Sequence, residues 1–361
     1  MRVHRKHVLM MALAALATGA ALGHNVMAGD GRFDQDHDQD HDGEQRDGDR
    51  YTIGLWGDMP YNALGKAQYP ALLADMNAHH LAFSVFDGDL KAGGDGACSD
   101  DNLYTPALKD FAMLERPAVL LPGDNDWTDC WGRYGPGTGG FDPIERLNHE
   151  RFLFWSTPFS LGQHPMRLTR QSSEGGAVAQ YSENVRWTRG PVVFIGANVQ
   201  GSNDNFPYAG VDGESRSNDE IERMRNEERA RKAAVLAWLD EGFKHAKAMH
   251  AKGVMVIWQG DPNFNNEQHL PDTRSYDAFA DYVEALRQHA MAFAGQVVLV
   301  HGDSHYFKLD KPLNNDAGGV LANFTRLETF GARNTHWVSA TIDAQNPNVF
   351  TFEPRLVPGN N

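Results

Sequence analysis

The sequence predicts an α/β fold. Apolar runs alternate with helical patterns from Tyr51 onward, several of those runs end on Gly-Asp, and the helical signal disappears after Phe307, where short strand-like segments take over. The Gly-Asp ends are Gly57-Asp58 after the run from Tyr51, Gly88-Asp89 after the run from Leu81, and Gly123-Asp124 after the run from Ala118. A fourth, Gly302-Asp303, follows Val297 to His301. Strands that stop in this way deliver their acids to one rim of the sheet, where open α/β sheets bind ligands. Four converging carboxylates point to a metal site.

The N-terminus resembles an export signal. Arg2, Arg5 and Lys6 form a basic start, Val8 to Leu22 an apolar stretch, and Val26-Met27-Ala28 a small-residue cleavage site, so residues 1–28 are expected to be a signal peptide. An uncleaved anchor is the alternative, although glycine and alanine make the stretch short and weakly apolar for a span. Residues 29–50 are acidic and nearly free of apolar side chains, which predicts a disordered linker. Asp38, Asp40, Asp42 and Gly43 match the first half of an EF-hand loop, but position twelve is Asp49 and no helix flanks it. Weak metal buffering by these acids with His37 and His41 is the alternative to a solvated tail. The folded domain is expected over residues 51–357.

Within it, Pro70 is predicted to open a short helix with Leu72, Leu73 and Met76 on one face, before the strand that starts at Leu81. Asp101 to Leu114 is predicted helical, the strand from Ala118 follows, and a Gly-rich loop over Trp131 to Gly140 leads into a helix holding Ile144, Leu147 and Phe152. Two strands between Gln180 and Asn198 form a hairpin at Arg189-Gly190-Pro191. Ser217 and Glu220 make a capping box for a long helix that carries Leu236, Leu239 and Phe243 on one stripe. A buried strand over Gly253 to Gln259, a helix with Phe279, Val283 and Leu286, and the strand into Gly302 come next. Segments around Phe324, Trp337, Ile342 and Phe350 are expected to close the fold as an antiparallel set.

The chain has 361 residues, 41% hydrophobic and 22% charged, with a formal net charge of −15. That balance excludes nucleic acid as a structural partner, because phosphate-backbone binding needs a basic footprint. Two cysteines in an exported chain predict one disulfide, and Cys98 and Cys130 lie in the loops after Asp89 and Asp124. A pair of free buried thiols is the alternative.

The order of the motifs resembles the calcineurin-like metallophosphoesterases, the superfamily that includes purple acid phosphatases. Its five blocks, Asp-x-His, Gly-Asp, Gly-Asn-His-Glu/Asp, a strand-end His and Gly-His-x-His, have counterparts here in Gly57-Asp58-Met59-Pro60, Gly88-Asp89-Leu90-Lys91, Gly123-Asp124-Asn125-Asp126, Trp258-Gln259-Gly260-Asp261 and Gly302-Asp303-Ser304-His305. The resemblance covers about residues 51 to 310, and the blocks in order are a far stronger signal than any one Gly-Asp. It implies a two-sheet β-sandwich flanked by helices, an α-β-β-α arrangement, and a dinuclear metal centre that hydrolyses phosphate esters. Asp58 and His305 would hold the first ion, Asp89 would bridge, and Asp124, Gln259 and Asp303 would hold the second. Two ions about 3.5–4 Å apart clamp a phosphate ester and turn a bound water into a nucleophile.

The chain departs from that pattern. Pro60 stands where the family has a His ligand, Asp124 where it has Asn, Gln259 and Asp303 where it has His, and Asn125 where it has the His credited with protonating the leaving group. Nitrogen ligands have become oxygens, which suits two divalent ions of the Mg²⁺, Mn²⁺, Ca²⁺ or Fe type better than Zn²⁺. Four carboxylates would neutralise two divalent ions and weaken them as Lewis acids, or favour a trivalent ion. Asn125 cannot donate a proton as imidazolium does, so Lys91 and Asp126 become the candidate acids, against plain roles as a solvated lysine and a loop cap.

Other conspicuous residues have structural explanations. His301 is expected to pack or hydrogen-bond on its strand, and His79 and His80 to end a helix, where cations suit the dipole. Trp127 and Trp131 would wall the pocket or pack over Cys130, and Asn198 to Asn205 would line the rim or form a turn cluster. The functional expectation is an exported, secreted or periplasmic monomer that hydrolyses a small phosphate ester and has no membrane contact after signal cleavage. The alternative is a catalytically degenerate member that binds metal or a phosphorylated ligand.

Overall fold

The computed structural model describes residues 50–131, 140–207, 217–264 and 276–360. The expected signal peptide, all of the expected acidic linker but Arg50, and residues 132–139 of the Gly-rich loop lie outside them. In chain order the strands are β1 (Arg50–Trp56), β2 (Leu81–Phe86), β3 (Ala118–Leu120), β4 (Thr169–Arg170), β5 (Val185–Arg189), β6 (Val192–Gly196), β7 (Gly253–Ile257), β8 (Gln296–His301), β9 (Lys308–Asp310), β10 (Phe324–Glu328), β11 (Trp337–Asp343) and β12 (Phe350–Arg355). The main helices are α1 (Asn62–Ala78), α2 (Thr105–Phe111), α3 (Pro143–Phe154), α4 (Asn218–Ala248) and α5 (Ala280–Ala292).

The strands form two sheets, ordered β12-β11-β1-β2-β3 and β4-β5-β6-β7-β8-β10-β9. Alternation along each strand explains the layering, since successive side chains face opposite sides of a sheet. Val192 and Phe194 of β6 join Ile53, Leu55, Phe83 and Val85 between the sheets, whereas Val193 and Ile195 face outward onto Trp238, Leu239 and Phe243 of α4 and Leu286 of α5. On the far side, Trp56, Phe86 and Leu120 pack against Leu72, Met76, Phe111 and Phe154 from α1, α2 and α3. The result is the two-sheet β-sandwich flanked by helices. Apolar runs without polar alternation follow from strands covered on both faces, and each fully buried Val, Leu or Ile side chain contributes about 1.5–3 kcal/mol.

Local signals place the elements. Ser217 Oγ accepts from the Glu220 N–H at 3.3 Å while Glu220 Oε2 accepts from the Ser217 N–H at 2.8 Å, which is the capping box that starts α4. Asp142 caps α3, its Oδ1 accepting from Ile144 N at 2.9 Å and Glu145 N at 3.1 Å. Cys98 and Cys130 are joined, with Cα atoms 5.7 Å apart.

Three expectations need correction. Pro70 lies inside α1, which begins eight residues earlier at Asn62, so packing of Tyr69, Leu72 and Met76 outweighs the lost backbone hydrogen bond. Phe152 is 71% exposed, and α3 instead buries Leu147 and Phe154. The late strands do not close one antiparallel set. β11 and β12 complete the first sheet, with β11 antiparallel to β1, whereas β10 joins the second sheet parallel to β8 and antiparallel to β9.

Candidate metal centre

β1, β2 and β3 run parallel, as do β6, β7 and β8, so their C-terminal ends lie on the same rim of their sheets. Asp58, Asp89 and Asp124 follow the first three, and Gln259 and Asp303 follow β7 and β8. The two rims meet. The Asp303 N–H donates to Asp58 Oδ2 at 3.0 Å, the Asn125 N–H to Asp89 Oδ1 at 3.0 Å, and the Gly201 N–H to Gln259 Oε1 at 2.6 Å. His305 Nε2 is 3.4 Å from Asp58 Oδ1. All six residues assigned by sequence to the ions therefore converge, with Asp58, Asp89 and Gln259 at most 1% exposed.

The glycines before the acids have a steric reason. A Cβ on Gly123 would lie 2.0 Å from Asp89 Oδ1, and one on Gly302 would lie 2.0 Å from Asp58 Oδ2. Each glycine lets an acid from another strand lie against the backbone. Asp58, Asp89, Asp303 and His305 are themselves left-handed, with φ of 51°, 66°, 74° and 67°. Such conformations cost of order 1–3 kcal/mol each and collect where function fixes a side chain.

Electrostatics agree with the geometry. Burial, then the charges of Asp124 and Asp58, push the Asp89 carboxyl well above the usual range, and burial with the charge of Asp124 does the same to Asp303. Burial lowers the proton affinity of His305, but its hydrogen bond to Asp58 and the charges of Asp58 and Asp124 outweigh that and raise it. An excess of buried negative charge of this kind calls for a cation.

Three residues at the rim were not singled out by sequence. Tyr61 is buried, and its hydroxyl donates to Asp89 Oδ2 at 2.7 Å and lies 3.5 Å from Asp58 Oδ1. Burial, then Asp89 and Asp58, keep that phenol protonated. The Ser202 hydroxyl is 2.6 Å from Asp124 Oδ2 and 3.0 Å from both oxygens of Asp129. The only available signals were a tyrosine beside Pro60, a serine in an amide-rich segment and an aspartate beside Cys130. Ser202 sits on an unusual turn, since Ser202, Asn203, Asp204 and Asn205 are all left-handed at φ 51–63°. Arg231 holds the turn through the Asp204 side chain at 2.5 Å and its carbonyl at 2.8 Å.

The three candidate catalytic residues, Asn125, Asp126 and Lys91, are buried. The Asn125 amide turns inward, donating to Asp89 Oδ2 at 2.6 Å. Asp126 accepts from Asp89 N and Gly123 N at 3.0 Å and from Leu90 N at 2.7 Å, tying two motif loops together, and burial pushes its carboxyl up to about 6. Lys91 donates to the carbonyls of Ala92 at 3.1 Å and Gly93 at 3.4 Å, and burial lowers its pKa despite Asp126 and Asp89. His301 is buried beside Gly302 O at 3.0 Å and burial lowers its pKa, as packing on the strand requires. Trp127 is fully buried.

The donor set fits a hard cation in charge and in chemistry, being four carboxylates, one amide oxygen and one imidazole. Asp124 Oδ1 is buried without a hydrogen-bond partner, and a Cβ on Gly201 would lie 2.7 Å from both Asp124 Oδ2 and Asp303 Oδ1. Among the described residues no group of three or more His, Cys, Asp or Glu side chains is placed to hold a metal ion, and Tyr61, Asn125, Ser202 and backbone N–H groups engage the carboxylate oxygens. No helix of the described residues is long and apolar enough to cross a membrane.

No protein-family model matches the chain, and no curated protein matches it. Among solved structures the chain is similar to a dimetal phosphatase from Danio rerio, at 12% identity over 84% of this chain and 96% of that one with a TM-score of 0.48. It is also similar to GAP50, the anchor in the inner membrane complex of Plasmodium, at 10% identity over 85% and 89% with a TM-score of 0.41. A third is the 5'-nucleotidase of Candida albicans, at 11% identity over 84% of this chain and 50% of that one with a TM-score of 0.40. The chain spans half the length of that nucleotidase.

Proposed function

We propose that this protein is a metal-dependent hydrolase of phosphate esters, working at the rim where Asp58, Asp89, Asp124 and Asp303 converge. The convergence carries the proposal: four acids from two sheets, three in left-handed backbone, crowd until burial and mutual charge raise Asp89 and Asp303. A scaffold role gives no reason to hold such a cluster together. Asp58, Asp89, Asp124, Gln259, Asp303 and His305 would hold the cations, and oxygen donors favour Mg²⁺, Mn²⁺, Ca²⁺ or Fe over Zn²⁺. Bound there, the cation supplies charge for the phosphoryl oxygens and a more acidic water.

The protein's own groups do the rest. Ser202 orients Asp124 through its 2.6 Å contact. His305 has a side chain 28% exposed and lies 3.4 Å from Asp58 Oδ1, so its imidazole reaches the solvent side of the rim. Asn125, Asp126 and Lys91 are all engaged with neighbouring protein groups. We place the protein outside the cytoplasm, in keeping with the signal-like N-terminus and the Cys98–Cys130 disulfide.

The second reading is a degenerate member that binds metal or a phosphorylated ligand without turnover. The inward turn of Asn125 onto Asp89 favours it, since the usual leaving-group acid is missing. Purified protein assayed on an aryl phosphate monoester and diester with Mg²⁺, Mn²⁺, Fe²⁺ and Zn²⁺ separates the two. Turnover that disappears in Asp124→Asn supports the hydrolase, and binding of Mn²⁺ without turnover on any substrate supports the degenerate member.

A further inference from the structure

We infer that the Tyr61 hydroxyl fills the place between Asp58 and Asp89, so that the chain holds one cation, between Asp124 and Asp303, rather than two. The inference rests on the proposed metal-dependent hydrolase and narrows its centre.

The two ends of the acid cluster differ in what already occupies them. Between Asp58 and Asp89 every carboxylate oxygen has a protein partner. Asp58 Oδ2 accepts from Asp303 N at 3.0 Å, and its Oδ1 faces His305 Nε2 at 3.4 Å and the Tyr61 hydroxyl at 3.5 Å. Asp89 Oδ1 accepts from Asn125 N at 3.0 Å, and its Oδ2 accepts from Tyr61 at 2.7 Å and the Asn125 amide at 2.6 Å. Asn125 Nδ2 lies 3.2 Å from the Tyr61 oxygen, closing a triangle of Tyr61, Asn125 and Asp89. A cation there would have to expel the phenol. Tyr61 is 5% exposed and its ring stands edge to face against His305 at 5.2 Å, so the hydroxyl has little room to leave. Pro60, next in the chain, has no donor to offer in an imidazole's place.

The other end is less fully occupied, with Asp303 Oδ2 accepting from Asp261 N at 3.1 Å but one acid oxygen left over. Asp124 Oδ1 is buried without a hydrogen-bond partner. Gly201 faces Asp124 Oδ2 and Asp303 Oδ1 with no side chain, at the place where any Cβ would lie 2.7 Å from each. The Gly201 N–H fixes the Gln259 amide oxygen at 2.6 Å beside them, and the Ser202 hydroxyl donates to Asp124 Oδ2 at 2.6 Å. Oxygen groups gathered around an unpartnered carboxylate oxygen suit a hard ion, whereas the Tyr61 end already has hydrogen-bond donors in the role a cation would play.

Equilibrium binding of Mn²⁺ to chelator-treated, full-length protein tests this. The expected count is one Mn²⁺ per chain for the wild type and two for Tyr61→Ala, whose second ion should be spin-coupled to the first by electron paramagnetic resonance. Asp124→Asn should weaken binding to the wild-type site by about a hundredfold or more, the upper end of what lost metal-site contacts cost, while Asp58→Asn should change it by less than about tenfold. Two Mn²⁺ in the wild type would overturn the inference and leave the hydrolase reading standing. So would a folded Tyr61→Ala that still binds one. Should that variant not fold, the wild-type count and the Asp124→Asn and Asp58→Asn pair still decide. No binding and no turnover on either aryl phosphate would remove the hydrolase reading itself.

Discussion

The backbone N–H of Asp303 donates to Asp58 Oδ2 at 3.0 Å, joining acids 245 positions apart and stitching the rim of one sheet to the rim of the other. Asp58 also places negative charge beside Asp87, Asp89 and Asp303, each of whose carboxyls is raised first by burial and then by neighbouring acids. Asp58→Asn keeps an oxygen for the Asp303 N–H and removes the charge. The metal-free variant should therefore be more stable than the wild type, by about 1–2 kcal/mol, which for a domain of this size raises Tm by about 2–8 °C. Calorimetry of chelator-treated protein checks the sign, and a lower Tm would mean that Asp58 is not under like-charge stress.

Asp89 is the acid most enclosed by the others. Asp89→Asn should abolish phosphoester hydrolysis and lower Mn²⁺ affinity by no more than about tenfold, because it removes negative charge beside the cation without removing one of its oxygen donors. Asp316→Asn, at an exposed ion pair with Arg287, should change neither. Matched loss in both variants would show that the motif acids have no special part in the site.

The Cys98–Cys130 bond ties the loop after Asp89 to the loop after Asp124, with a sequence separation of 32 residues. Chain-entropy reasoning gives about 3–4 kcal/mol for a loop of this size, or a Tm lower by about 10 °C when both cysteines are replaced by alanine. Metal retention should fall with it, because those loops carry two of the four acids. Thiol labelling of unreduced, denatured protein should find no reactive thiol, and two per chain would contradict the bond.

Burial pushes the Asp110 carboxyl up to about 6 from an ordinary value near 3.8. A carboxyl raised in the folded state binds its proton more tightly there, so its stabilising contribution is complete below about pH 4 and is lost as pH rises through 6. Asp110 is only partly buried, and solvent reduces the effect to about 1 kcal/mol at neutral pH. Asp110→Asn should melt higher than the wild type at pH 7 and alike at pH 3.5. A difference that grows on acidification would have the wrong sign.

Much of the framework was legible in the chain. Gly57-Asp58, Gly88-Asp89, Gly123-Asp124 and Gly302-Asp303 mark strand ends because close loop crossing demands glycine there, and the apolar runs before them have no polar alternation because both faces are covered. The cysteines were legible because they follow neighbouring strands. Pro70 misled, since local proline chemistry speaks only for the turn it occupies and α1 draws its stability from the buried face of Tyr69, Leu72 and Met76. The split of β10 and β11 between two sheets is a long-range choice that no short window records. Tyr61, Ser202 and Asp129 escaped for the same reason: their partners, Asp89 and Asp124 among them, lie up to 78 residues away.

The most direct test of the account is turnover of an aryl phosphate by one sample of purified protein before chelation, after chelation and after re-addition of Mn²⁺ or Mg²⁺. Hydrolysis should disappear on chelation, return with either ion, and return less well with Zn²⁺, because the rim offers oxygen where zinc prefers nitrogen and sulfur. Hydrolysis that persists unchanged through chelation would contradict a metal-dependent centre built on Asp58, Asp89, Asp124 and Asp303.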